Sequence, residues 1–280
     1  MIGIVDSGST KTDWCLVDHS GEKRVRTAGM NPYFQSEEEM AEALRTQLLP
    51  VLEEMKAEPM EAIYFYGAGC ATEAVNQKVE QAIRRFFPVT IEVQSDLIAA
   101  ARALCGHEAG IACILGTGAN SCAFDGERIV EQVSPLGYVL GDEGSGAVLC
   151  KRLVGDVLKH QLSPVVEQLF FGETELTAAA ILDKVYRQPF PNRFLASLVP
   201  FVKRHIDEPS LRRLVEDNFR AFFVRNVNGY ALAQSHPVHF VGSIAFHFQE
   251  QLERVVAEQG LRMGRIMQSP MEGLIRYHLS

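Results

Sequence analysis

Short apolar runs alternate with stretches of helical periodicity along the chain, which is the pattern of an α/β protein. Ile2–Asp6, Asp13–Val17 and Arg24–Ala28 read as consecutive strands, and Ala62–Tyr66 as a fourth after a long helix. That helix is expected to begin at Ser36, where Ser36-x-x-Glu39 has the form of a capping box. A second helix spans about Glu73–Phe87, a strand follows at Val89–Val93, and Asp96–Leu104 reads as a short helix ending before Gly106.

The pattern then starts over. Ile4-Val5-Asp6-Ser7-Gly8-Ser9 can be laid over Ile114-Leu115-Gly116-Thr117-Gly118-Ala119: an apolar strand reaches a hydroxyl residue and a glycine, and a second strand follows. Trp14–Val17 leads to Asp18-His19-Ser20-Gly21, and Cys122–Phe124 leads to Asp125-Gly126, a strong hairpin signal because it tolerates positive φ. Third strands follow at Arg24–Ala28 and Arg128–Val133. The expectation is two copies of a hairpin-led α/β unit, 1–108 and 109–267, with no Gly/Ser/Pro linker between them. Residues 144–235 read as almost wholly helical, and Val238–Val241 as a strand running into Gly242-Ser243 and another helix.

Three glycine turns therefore stand out: Asp6–Thr12, Gly116–Ser121 and Gly242–Ala245. Backbone N–H groups in such turns can converge on an oxyanion, and missing side chains let a phosphate approach. Each could equally reverse the chain and nothing more. Gly8-Ser9-Thr10-Lys11-Thr12 is not a P-loop, since Thr10 and Val5 stand where that motif needs glycine. The dinucleotide pattern fails too, because Gly67-x-Gly69 meets Thr72 and Gly116-x-Gly118 meets Ser121.

Composition narrows the classes. With 280 residues, 47% hydrophobic and 22% charged, the chain is expected to be a globular protein long enough for two ordinary domains. A net charge of −8 argues against a nucleic-acid partner. No apolar run reaches the roughly 20 residues that span a bilayer, so no membrane partner is expected. The N-terminus lacks a basic region and apolar run of the secretory kind, and position 2 is not the glycine that myristoylation needs. The six cysteines form no CxxC pair, which fits reduced, buried thiols in a cytoplasmic protein.

Taken in order, several motifs form a recognisable set. Asp6–Thr12 and Gly116–Ser121 resemble the two phosphate loops of the sugar kinase, heat-shock chaperone and actin superfamily. Gly137-Tyr138-Val139-Leu140-Gly141-Asp142-Glu143-Gly144-Ser145-Gly146 is similar to a segment of the BadF/BadG-type ATPases and of their N-acetylglucosamine kinase relatives. His239–Ala245 resembles that family's strand–glycine–helix element beside adenosine, and Ser269–Gly273 its final helix start.

This resemblance implies an α/β fold of two duplicated ribonuclease H-like (actin-like ATPase) domains, with an ATP and substrate cleft between them. It also implies that a final helix, about 268–280, returns to the first domain. ATP and Mg²⁺ are the implied cofactors. Asp6 would orient Mg²⁺ through water, since magnesium keeps much of its hydration. Ser7, Gly8, Ser9, Thr10, Lys11 and Thr12 would surround the β- and γ-phosphates, with Gly116, Thr117 and Gly118 holding phosphate from the second domain. Gly242 and Ser243 would lie against adenosine, although Gly242 could serve only to turn the strand into the helix.

Phosphoryl transfer also needs a base near the attacking hydroxyl. Asp96 follows a strand and opens an apolar helix, where Ser and Asp are also ordinary caps; the resemblance makes it the catalytic base and a sugar contact. Asn31, Asn120 and Asp142 are the implied sugar-binding residues, and Asp142-Glu143 could instead favour the N-terminus of the following helix. Pro135-Leu136 departs from the small residue and aromatic of the animal relatives, which bears on how an acetamido group is read. His236-Pro237-Val238-His239 lacks neighbouring cysteines and reads as structural.

The activity so implied is an ATP-dependent kinase for an amino sugar, N-acetylglucosamine to its 6-phosphate being the leading reading, in a homodimer. An ATPase that activates a dehydratase is the alternative, and it would need exposed cysteines for an iron–sulfur cluster, Cys150 being the candidate. A sugar or nucleotide sensor without turnover is the third, disfavoured by the presence of Asp6 and Asp96.

Overall fold

The computed structural model describes residues 1–8 and 11–280. They fall into two compact units, Met1–Gly106 with Pro270–Ser280, and His107–Ser269.

In the first unit, β1 (Ile2–Ser7), β2 (Lys11–Asp18) and β3 (Gly21–Ala28) form an antiparallel meander. Helix α1 (Glu37–Ala43) continues through a π-helical turn at Leu44–Leu48 into α2 (Leu49–Glu54). Next come β4 (Ala62–Gly67), α3 (Glu73–Arg84), β5 (Thr90–Ser95) and α4 (Asp96–Cys105). The sheet order is β3-β2-β1-β4-β5, with β1, β4 and β5 parallel. Both halves of the capping box form: Glu39 N–H donates to Ser36 Oγ (3.1 Å) and Ser36 N–H to Glu39 Oε2 (2.7 Å).

The second unit repeats this order. It contains β6 (Gly110–Leu115), β7 (Ala119–Phe124), β8 (Ile129–Glu131) and the short α5 (Gly137–Leu140). Six helices follow: α6 (Gly146–Leu158), α7 (Pro164–Thr174), α8 (Ala178–Tyr186), α9 (Pro191–Ala196), α10 (Val199–Arg204) and α11 (Pro209–Phe222), the last running into a π-helical turn at Phe223–Val227. The unit closes with β9 (Val238–Val241), α12 (Ser243–His247), α13 (Gln249–Glu258) and β10 (Met263–Met267). Its sheet order, β8-β7-β6-β9-β10, is the first sheet's order with every strand replaced by its counterpart. The duplicated α/β pattern of the sequence is thus present as two mixed five-stranded sheets.

The last helix, α14 (Met271–Leu279), packs on α4 and β1 of the first unit. A β-carbon on Gly273 would lie 2.3 Å from the Ala103 carbonyl oxygen, so the two helices meet backbone to backbone. At the far end His278 stacks on Tyr64 (3.8 Å between centroids), and its Nε2 lies 2.8 Å from the Tyr66 hydroxyl. Arg102 on α4 joins the same cluster, donating to Tyr66 Oη (2.8 Å) and Glu92 Oε1 (2.7 Å). Burial pushes the His278 pKa down to about 4, so the ring docks neutral.

Some boundaries differ from those the sequence predicts. β2 begins at Lys11 rather than Asp13, because the β2–β3 register runs unbroken from Lys11↔Ala28 to Asp18↔Gly21. β8 stops at Glu131, and beyond it Val133 N–H leaves the sheet to donate to Tyr230 Oη (3.0 Å). β10 carries no strand signal of its own: MGRIM has no clean alternation, and it is a strand because β9 offers it a parallel partner. Among the described residues no helix is long and apolar enough to cross a membrane.

Candidate active site

Parallel pairing in the first unit aligns Ser7, Gly67 and Ser95 at the carboxyl ends of β1, β4 and β5. Asp6 sits one residue before that line and Asp96 one residue after it, at the edge of a parallel sheet where ligands are usually bound. Each carboxylate keeps part of its surface open yet has protein on most sides. Burial raises the pKa of Asp6 to about 6, helped by the negative charges of Asp13 and Asp96 and opposed by Lys11. Burial also raises Asp96 to about 6, against the lowering effect of the Leu97 and Asp96 backbone N–H groups at the start of α4. Ser95 caps that helix, its Oγ accepting from Ile98 N–H (3.3 Å). The cap role is therefore carried by Ser95, and Asp96 is left as the first residue of the helix.

The rest of the first glycine turn divides between scaffold and surface. Ser7 and Thr12 are buried, their hydroxyls 2.7 Å apart, and Met30 N–H donates to both (3.1 Å each). The two hydroxyls thus tie the chain just before Asn31 to the β1–β2 turn. Gly8 N–H closes that turn on the Lys11 carbonyl (2.9 Å). Lys11 is exposed, with Nζ 2.7 Å from Asp13 Oδ2, and Arg26 pairs with the other oxygen (2.7 Å). Burial alone would raise Asp13, but these two cations outweigh it and hold the carboxyl below the usual range. Ser9 and Thr10 lie outside the described residues.

Asn31 is buried, accepts from Tyr33 N–H through Oδ1 (3.0 Å) and donates its own N–H to Gln35 Oε1 (2.7 Å). Its Oδ1 lies 3.0 Å from where a β-carbon on Gly69 would stand, and the Tyr33 ring 2.7 Å from it. Gly69 is at φ +88°, so only glycine fits comfortably. Along the sequence Gly69 belongs only to a failed dinucleotide motif; its service to Asn31 is a contact between residues far apart in the chain.

In the second unit the glycine turn after β6 closes with Gly116 N–H donating to the Gly118 carbonyl (2.9 Å). Asp142, at φ +57°, lies over it: Asp142 Oδ2 is 3.1 Å from where a β-carbon on Gly118 would be. Burial raises the Asp142 pKa and the neighbouring Glu143 adds to this, while the Ala119 N–H and Lys151 oppose it. Asn120 is on β7, with Oδ1 accepting from Ser121 N–H (2.9 Å) and Gln132 Nε2 (3.3 Å). Thr117 is exposed at the tip of the turn. Gly242, at φ +121°, would place a β-carbon 2.4 Å from the Leu115 carbonyl oxygen and 3.3 Å from Gly116 N, so it packs on the base of the same turn. Ser243 opens α12 with its side chain exposed. Turn, Asp142 segment and Gly242 thus converge within this unit.

A sequence profile of the BadF/BadG/BcrA/BcrD ATPase family matches residues 2–182. The chain belongs to that family. Among solved structures, a protein from Porphyromonas gingivalis described as a candidate N-acetylglucosamine kinase is 49% identical, with a TM-score of 0.93 over 99% of this chain and 98% of its own. One from Chromobacterium violaceum with the same description has a TM-score of 0.77 at 16% identity, over 99% and 98%. A ROK-family glucokinase from Streptomyces griseus, solved with glucose and AMPPNP, has a TM-score of 0.55 at 16% identity, over 98% and 96%. The latter two likenesses concern the fold, which is that of the actin-like ATPases and sugar kinases. No curated protein matches the chain.

Membership of the BadF/BadG/BcrA/BcrD ATPase family implies ATP as a ligand. The donors available suit a hydrated divalent cation: Asp6 offers carboxylate oxygens in a locally acidic setting with Asp13 and Asp96. All six cysteines are buried and outside any disulfide, Cys150 fully buried, with its thiol pKa pushed well up by burial. None is placed to ligate a cluster at the surface, Cys150 included. His239 is buried too, its Nδ1 accepting from Arg265 N–H (2.9 Å), a structural role.

Proposed function

We propose that this protein is an ATP-dependent sugar kinase acting on an amino sugar, most simply N-acetylglucosamine at its 6-hydroxyl. The observation that carries the reading is Asp96: a carboxylate at the end of β5, pushed to a pKa of about 6, where it is ionised at neutral pH yet basic enough to accept a proton. The 49% identity to the Porphyromonas gingivalis protein supports the choice of sugar.

In this mechanism Asp96 accepts the hydroxyl proton as the oxygen attacks the γ-phosphorus of ATP, and the bond from that phosphorus to the β,γ-bridging oxygen breaks to release ADP. Asn31, Asn120 and Asp142 orient the sugar by hydrogen bonds to its hydroxyls, with Asp96 a fourth contact. The Lys11 ammonium and the backbone N–H groups of Thr117 and Gly118 serve the phosphates, the Gly8 and Gly116 N–H groups being used to close their own turns, and Gly242 and Ser243 lie beside the adenosine. Asp6 would hold Mg²⁺, and the ion would supply neutralisation of phosphate charge. Positioning and electrostatics are what phosphoryl transfer asks of a protein.

The reading further makes the protein cytoplasmic, which six cysteines outside any disulfide support, and a homodimer, which sedimentation velocity measures directly. The deciding assay is ADP release from ATP and Mg²⁺ with N-acetylglucosamine, glucosamine, N-acetylmannosamine and glucose in turn. Turnover dependent on one amino sugar supports the proposal; ADP release indifferent to sugar returns the protein to an ATPase of another kind.

A further inference from the structure

The segment carrying Asp142 is held in an unusual shape. Asp142 has φ +57° and Gly144 φ +84°, so two of three consecutive residues are left-handed. Such a path costs of order 1–3 kcal/mol for a non-glycine residue and persists only where surroundings over-determine it. Three backbone bonds contribute: Asp142 N–H to the Pro135 carbonyl (2.9 Å), Ser145 N–H to the Asp142 carbonyl (3.0 Å), and Gly146 N–H to the Gly116 carbonyl (2.9 Å). The Gly144 N–H has no place in that set. The Ser145 carbonyl accepts from Leu149 N–H (3.0 Å) as α6 begins, which leaves its second lone pair open.

Both positions are met by one side chain from another helix. Gly144 N–H donates to Asn218 Oδ1 (3.1 Å), and Asn218 Nδ2 donates to the Ser145 carbonyl (3.1 Å). Asn218 lies in α11, is 1% exposed, and directs both polar atoms of its amide at this segment. One helical turn on, Phe222 closes on Gly144, where an added β-carbon would be 3.0 Å from Phe222 Cβ and 2.9 Å from Leu115 Cδ2. We infer that Asn218 is a positioning residue: its amide clamps the Gly144–Ser145 backbone and thereby holds Asp142 over the Gly116–Gly118 turn. The role rests on the proposed function, in which Asp142 orients the sugar.

The amide is the necessary chemistry, because the clamp needs one acceptor and one donor on a planar group of this size. Asn218→Asp keeps the shape and the acceptor but sets an oxygen against the Ser145 carbonyl. When that carboxyl is protonated, its O–H restores the donor; when it is ionised, two acceptors face each other in a buried site. The ionisable groups nearest in the chain or on the clamped segment are Asp217, Asp142 and Glu143, with Arg225 paired to Glu143 (2.5 Å). They are present in the wild type too, so the ratio of variant to wild type isolates the new carboxyl.

The test compares wild type, Asn218→Ala and Asn218→Asp from pH 6 to 9, measuring kcat/KM for N-acetylglucosamine, kcat, and melting temperature. Asn218→Ala is expected to lose about 10-fold to 100-fold in kcat/KM, the scale of a misplaced binding group. Asn218→Asp relative to wild type is expected to be near full activity at acid pH and to fall as pH rises along a single titration, while Asn218→Ala relative to wild type stays flat. A lowered melting temperature with kcat/KM unchanged, or a flat ratio for Asn218→Asp, overturns the role. If Asn218→Ala does not fold, the Asn218→Asp ratio alone decides. If the wild type turns over no sugar, the proposed function fails by itself, and amide exchange across residues 141–147 tests the clamp without it. Exchange that loosens with pH in Asn218→Asp beyond wild type supports the clamp, and equal exchange in all three proteins overturns it.

Discussion

The carboxylate of Asp142 occupies space that any side chain on Gly118 would contest: 3.1 Å separates Asp142 Oδ2 from the position of a β-carbon there. Contacts this close are tighter than ordinary packing, and Asp142 is tethered on both sides by backbone bonds. Gly118→Ala is therefore expected to displace the carboxylate by a few tenths of an ångström rather than unfold the unit. KM for the sugar should rise by about 3-fold to 10-fold, the cost of weakening one hydrogen bond to a charged group. Steady-state kinetics in sugar at saturating ATP measures it, and an unchanged KM would detach Asp142 from the sugar.

Asp96→Asn removes the proposed base but preserves the shape of the residue. A loss of about 10²-fold to 10⁴-fold in kcat is expected, with ATP binding retained. Stability should move the other way. Burial disfavours the ionised form, so the folded state prefers Asp96 neutral; that preference helps folding at acid pH and is lost as pH rises through about 6. The uncharged variant escapes the cost at neutral pH and should gain up to about 3 kcal/mol. Thermal melts at pH 7.5 check this, and a less stable Asp96→Asn protein would contradict the desolvation account.

The same shift sets the acid limb of the reaction. With Asp96 and Asp6 both raised to about 6, kcat/KM should fall as pH drops through about 6, by at least about tenfold per unit where a proton on Asp96 stops transfer. A pH–rate profile gives the midpoint directly. A limb centred near pH 4 instead would mean that neither carboxylate feels its burial during catalysis.

Gly144→Ala should be far more costly than Gly118→Ala. It combines φ +84° with contacts of 2.9 Å to Leu115 and 3.0 Å to Phe222. Left-handed strain and overpacking together suggest about 2–4 kcal/mol of lost stability. Chemical denaturation of the two variants side by side gives the comparison.

How much of this is legible in the sequence depends on the range of each interaction. The Ser36–Glu39 capping box is complete within four residues, and its two bonds form as the pattern states. The repeated hairpins are legible because each is local: Asp125 Oδ1 accepts from Glu127 and Arg128 N–H (2.9 and 2.8 Å) around a Gly126 at φ +106°. Asp6 and Asp96 are legible from strand ends, but their raised pKa values follow from burial in the folded unit, with the charges of Asp13 and Asp96 adding to it at Asp6. Ser7 and Thr12 group with phosphate contacts in the sequence because hydroxyls in a glycine turn suggest anions; their bonds to Met30 depend on where β3 ends. Asn218 has no sequence signal at all, since 73 positions separate it from the Ser145 carbonyl it satisfies.

The first amides of α6 have a consequence for the turn they touch. Gly146 N–H donates to the Gly116 carbonyl (2.9 Å) and Ala147 N–H to the Thr117 carbonyl (3.2 Å). A trans peptide unit is planar, with its C=O and N–H pointing in opposite directions. Two carbonyls drawn toward α6 therefore turn the N–H groups of Thr117 and Gly118 the other way. The turn acquires a positive face from peptide polarity alone, without a cationic side chain, and that polarity does not titrate.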